Sequence, residues 1–100
     1  MKLLDLVVQE FISIIEYVQL KHDVENNRII LERDEFRNIM EKYGYVTFAK
    51  KCSIYKQLNL LVHDGNNYTM PCKVKGKTVR RVVLNYTTYL ILKELYTVVK

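Results

Sequence analysis

The hundred residues predict a single α+β domain in the order helix, strand, helix, helix, β-hairpin, helix. Three features carry that expectation. Residues 3–21 keep a 3.6-residue periodicity, residues 33–61 hold two helical segments with a glycine between them, and residues 67–84 hold two β-prone runs around a Lys-Gly-Lys tip. A chain of this length is near the common domain size and buries roughly two-thirds of its unfolded surface.

In the first helix (3–21), Asp5, Gln9, Ser13, Glu16 and Gln19 form a narrow polar stripe. The rest of its surface, from Leu3, Leu4 and Leu6 through Phe11, Ile12, Ile14 and Ile15 to Val18 and Leu20, is apolar. That arc is wider than one small core covers, so part of it is expected to meet a second copy of the chain. Asn26-Asn27 signals a turn before the short β-branched strand at residues 28–31. The second helix, 33–42, has Asp34 and Glu35 in its first turn, Lys42 in its last and Gly44 as a stop, with Phe36, Ile39, Met40 and Tyr43 on one face.

Thr47 is the expected N-cap of a third helix running on to Leu60. Phe48, Cys52, Ile54, Tyr55, Leu58 and Leu61 take half of its circumference; Ala49, Lys50, Ser53, Lys56 and Gln57 gather opposite, with Lys51 at the edge. Asn85 can cap a last helix, 86–99, whose apolar band is Tyr86, Tyr89, Leu90, Leu92, Leu95, Tyr96 and Val99.

Charge is unevenly placed. Residues 1–27 carry two cations against five acids, whereas Lys42 to Arg81 carry nine cations against Asp64 alone. Every charged residue of the hairpin is positive: Lys73, Lys75, Lys77, Arg80 and Arg81. A protruding cationic ribbon implies a polyanion partner.

Other classes are disfavoured. No apolar run approaches the roughly eighteen residues of a membrane span, and no signal peptide is evident, so a cytoplasmic protein is expected. Cys52, Cys72, His22 and His63 stand singly, without the spacing of a metal site. No nucleophile–base set, phosphate loop or convergent acid pair marks an enzyme, and no cofactor is expected.

Strand Ile29–Leu31, helix and turn Phe36–Tyr45, helix Thr47–Leu61 closing on Leu58-Asn59-Leu60-Leu61-Val62, and hairpin Asn67–Leu84 together resemble the winged helix-turn-helix family. The resemblance covers residues 1–99, the first and last helices matching the flanking pair often used for dimerisation. It implies double-stranded DNA binding, with Thr47, Lys50, Lys51, Ser53, Lys56 and Gln57 on the recognition helix and Lys73, Lys75, Lys77, Arg80 and Arg81 on the wing. Within that family the size and Lys-rich wing look like the small accessory proteins of conjugative plasmids, which act at the origin of transfer with other DNA-processing proteins. A transcriptional regulator and a winged-helix protein-interaction module are the alternatives, and RNA binding is a third. The wing is expected to contribute more to binding than the helix.

Overall fold

The computed structural model describes residues 2–42 and 44–99, the last four by their backbone alone. It is an α+β fold of four helices and a four-stranded antiparallel sheet. The order is α1 (Leu3–Val18), β1 (Arg28–Leu31), α2 (Arg33–Met40), α3 (Phe48–Gln57), β2 (Leu61–Val62), β3 (Met70–Val74), β4 (Lys77–Asn85) and α4 (Tyr86–Val99).

Strand β4 organises the sheet. Its C-terminal half lies between β1 and β2, pairing Leu31 with Val82, Ile29 with Leu84 and Leu61 with Leu84. Its N-terminal half leaves that sheet as one arm of a hairpin with β3, in register from Met70–Arg81 to Val74–Lys77. The pairing never slips, so side-chain alternation runs unbroken from Lys77 to Asn85.

Several expected boundaries move. The first helix stops at Val18, three residues early, because the amides of Leu20, Lys21 and His22 turn back onto Tyr17 and Val18; Leu20 is left exposed. The second helix ends at Met40 on a cap at Glu41, which puts Lys42 beyond its last turn; Tyr43 lies outside the described residues. The third helix ends at Gln57 rather than Leu60. Asn59 adopts φ +57°, and the Leu60 amide reaches the Tyr55 carbonyl at 2.9 Å, a Schellman closure with asparagine in the left-handed position. Leu61 and Val62 therefore form strand β2 where the close of the helix was expected. Capping by Thr47 and Asn85 is observed, their side-chain oxygens accepting from the amides of Lys50 and Thr88.

The core follows from these periods. Val7, Phe11, Ile14, Ile15 and Val18 of α1 meet Phe36 and Met40 of α2, Tyr55 of α3, Ile29, Leu31, Val82 and Leu84 of the sheet and Tyr89 of α4, all essentially inaccessible. Phe11 and Phe36 approach Tyr55 edge-on at 5.9 and 6.3 Å. α1 and α4 pack on each other, and Glu16 receives the Tyr89 hydroxyl at 3.0 Å and the Lys93 ammonium. Part of the apolar excess on the first and last helices is thus internal to the domain, while Leu4, Leu90, Ile91 and Leu95 stay about half exposed.

Among these apolar side chains sits an ion pair. Glu10 of α1 is 4% exposed and Lys51 of α3 is 1% exposed, with Nζ and Oε2 2.7 Å apart. The other Glu10 oxygen accepts the hydroxyls of Tyr45 and Tyr55, each at 2.7 Å. Lys51 also donates to the Met40 carbonyl at 2.6 Å and lies 4.4 Å from the centre of the Tyr45 ring. Lys51, expected at the edge of a DNA-facing surface, is therefore a core residue. The cluster joins α1, the end of α2, the following turn and α3.

Removing one partner leaves the other charge stranded, so Lys51→Met should lower stability by about 3–5 kcal/mol in urea unfolding. Arg37→Ala, which breaks the exposed Arg37–Glu41 pair and the contact with the Phe48 ring, should cost far less, about 1 kcal/mol or below. Burial, then Glu10, raises the Tyr45 and Tyr55 pKa values above the ordinary range. The native state thus holds these protons when the unfolded chain has released them, and stability falls as the pH rises above about 10. Tyrosinate absorbance should show at least two of the eight tyrosines ionising only as the fold is lost; ionisation of all eight in the folded protein would contradict this.

Candidate nucleic-acid interface

The outward face of α3 keeps most of the expected residues. Lys50 and Gln57 are exposed, and Ser53 and Lys56 are half-buried. Thr47 is exposed, but its hydroxyl oxygen is engaged as the helix cap. Lys56 reaches across to the Asn66 carbonyl at 2.6 Å, tying α3 to the turn after β2. Ser53, Lys56 and Gln57 line an open cleft of about 330 Å³ with Gly65 and Asn66 of that turn.

A second tie lies at the other end of α3. The Tyr68 ring stacks on Phe36 at 6.3 Å and meets Phe48 edge-on at 5.7 Å. Tyr68 is thus a packing residue that docks the hairpin base onto α2 and α3, not a free stacking platform of the kind that RNA recognition would use. The loop leading into the hairpin is thus held to both ends of α3.

The turn joins β3 and β4 in two residues, Lys75 (φ +52°) and Gly76 (φ +80°). Two positive φ angles are the mark of the type I′ turn, which matches the strand twist. Glycine accepts that conformation freely. Lysine does not, and it occupies a place where asparagine or aspartate is usual.

Alternation divides the hairpin cations. Val82 and Leu84 enter the central core, and Arg80 and Thr78 continue their row; Lys73, opposite Thr78, belongs to the same face. Arg81, Val79 and Lys77 form the other row, sharing the outer face with Met70, Cys72 and Val74. Arg80 and Arg81 thus lie on opposite faces, as their adjacency requires. Pro71 is exposed on the edge strand β3.

Two residues at this surface had not been singled out. Thr69 is 4% exposed and accepts from Arg80 through both its hydroxyl, at 2.7 Å, and its carbonyl, at 2.9 Å. Asp64 stands 3.4 Å from the same guanidinium. The available signal was that Asp64 is the single acid between Lys42 and Arg81. With Lys51 and Arg80 paired, Lys42, Lys50, Lys56, Lys73, Lys75, Lys77 and Arg81 are cations without an ion-pair partner among the described residues. On α1, by contrast, Glu10 and Glu16 are matched by Lys51 and Lys93.

The thiols complete the surface. Cys52 is 5% exposed, and burial pushes its pKa up to about 11, against the opposing pull of Lys56 and Arg37; Cys72 is half-buried on the outer hairpin face. Neither is in a disulfide among the described residues, which also hold no metal-ligating group of three or more His, Cys, Asp or Glu. No helix among them is long and apolar enough to cross a membrane. No protein-family model matches the chain, and no curated protein matches it in sequence.

Lys75→Asn should stabilise the hairpin by about 0.5–1 kcal/mol by relieving the left-handed strain, seen as slower amide exchange in β3 and β4. At pH 8 a thiol reagent should modify Cys72 in the folded protein and Cys52 only after unfolding. Equal reactivity of the two would show that the α3 packing is looser than described.

Proposed function

We propose that this chain is a winged-helix protein that binds double-stranded DNA, with the β3–β4 hairpin as wing and main contact and α3 as supporting recognition helix. One observation carries the reading: the loop that leads into a cationic ribbon is tied to α3, and the cations of α3 and the ribbon without an ion-pair partner among the described residues greatly outnumber the acids. A major groove about 12 Å wide admits a helix or a two-stranded ribbon. In this reading Lys73, Lys75 and Lys77 meet phosphates, while Lys50, Ser53 and Gln57 offer donors and acceptors to base edges.

The reading extends to a homodimer. Leu90, Ile91 and Leu95 of α4, with Leu3 and Leu4 of α1, are the apolar surface that a second copy would cover, placing two wings on two half-sites. A role at an origin of conjugative transfer, in place of a promoter, rests on the sequence resemblance alone. A map of bound sites across the host genome separates the two. The apolar outer row of the hairpin, Met70, Cys72, Val74 and Val79, favours docking onto a protein as the second reading.

A fluorescence titration with a labelled duplex tests the main reading. Lys75→Ala/Lys77→Ala should weaken binding more than Lys50→Ala/Gln57→Ala, and a larger loss from the helix pair would reverse the assignment. The logarithm of affinity should fall by about 0.9 per logarithmic unit of salt for each phosphate contact. Absence of binding at physiological salt with competitor DNA would favour the protein-docking reading.

A further inference from the structure

We infer that Arg80 is the base-reading arginine of the hairpin and that Asp64 sets its selectivity. This inference rests on the DNA-binding reading and identifies which residues in that surface discriminate between sequences. The two hairpin arginines differ in placement and in restraint. Arg80 continues the core-side row of β4, the row whose Val82 and Leu84 pack in one core with Tyr55 of α3; Arg81 lies on the outer face.

Arg80 is also fixed. Its Nε donates to the Thr69 hydroxyl, and its Nη2 donates to the Thr69 carbonyl and to Asp64. Thr69 is itself buried, so the anchor is part of the packed domain. Nη1, with two of the five guanidinium hydrogens, is engaged by no hydrogen bond among the described residues. With Nε and Nη2 engaged, the guanidinium presents Nη1 alone, as a donor already held in place, with little loss of side-chain freedom on binding. That suits a single directed hydrogen bond to a guanine acceptor better than a loose phosphate contact.

Asp64 acts in two ways. It holds the guanidinium, and it adds a negative charge in the turn whose next residues, Gly65 and Asn66, line the cleft with Ser53, Lys56 and Gln57. A negative charge there opposes phosphate approach in any sequence, so it lowers indiscriminate binding while Arg80 is repaid only on the right base. Arg81 is free of such restraint and contributes to affinity without discrimination.

The test begins by selecting duplexes from a randomised pool with the full chain. The affinity for an enriched duplex is then compared with that for an unselected duplex of equal length. Asp64→Asn should tighten binding to the unselected duplex by about two- to fivefold and reduce the selectivity ratio. Arg80→Lys, which retains the charge, should reduce that ratio about tenfold or more. Arg81→Ala should weaken both duplexes alike. If wild-type protein enriches no duplex, the DNA-binding reading fails and this inference with it. If a duplex is enriched but its selectivity survives Asp64→Asn and Arg80→Lys, or is lost only in Arg81→Ala, the inference alone is overturned.

Discussion

Glu10 carries a carboxylate into a helix face that otherwise holds Val7, Phe11 and Ile14, and the surrounding fold satisfies that charge from three directions. Burying an ion pair costs several kcal/mol per ion before the partners compensate, so the geometry around it has to be close to ideal. Here both carboxylate oxygens are occupied, the ammonium is shared with a helix-terminal carbonyl, and no buried side-chain polar atom among the described residues lacks a partner. An apolar core tolerates sliding of one helix on another. A network that includes four hydrogen bonds at 2.6–2.7 Å among the described residues does not, and it fixes where α3 sits on α1. Everything proposed for the outward face of α3 depends on that placement.

The second constraint is the continuity of β4. One nine-residue strand belongs to the core at its C-terminal end and to the projecting hairpin at its other end. Its alternation therefore carries the inside–outside distinction of the core into the hairpin and decides which arginine shares a face with the helices. The Tyr68 contacts and the Lys56–Asn66 bond then fasten the loop at the base of the ribbon to α2 and α3.

Much of the architecture was legible because it rests on local signals. The helix periods, the Thr47 and Asn85 caps, the Asn26-Asn27 turn and the Lys-Gly tip all lie where the sequence implies. What escaped depends on contacts between residues far apart in the chain. Lys51 borders a polar helix face and reads as exposed; only Glu10, forty-one positions earlier, makes its burial possible. Glu10 itself was the available clue, since it falls off the polar stripe of α1. Strand β2 was hidden for a related reason: Leu60-Leu61-Val62 continues an apolar run, and the positive φ of Asn59 that ends the helix leaves no strong mark in a sequence. The restraint of Arg80 was equally invisible, because Thr69 and Asp64 reach it through the hairpin register and the turn after β2.

The central proposal is that the face shared by α3 and the hairpin receives duplex DNA while the α1–α4 side does not. Amide and side-chain NMR shifts followed during addition of duplex DNA at physiological salt test it most directly. Perturbations are expected at Lys50, Ser53, Gln57, Lys73, Lys75, Lys77 and Arg80, with Asp5, Gln9 and Ser13 of α1 unaffected. Perturbations centred on α1 and α4, or none on the hairpin, would contradict it.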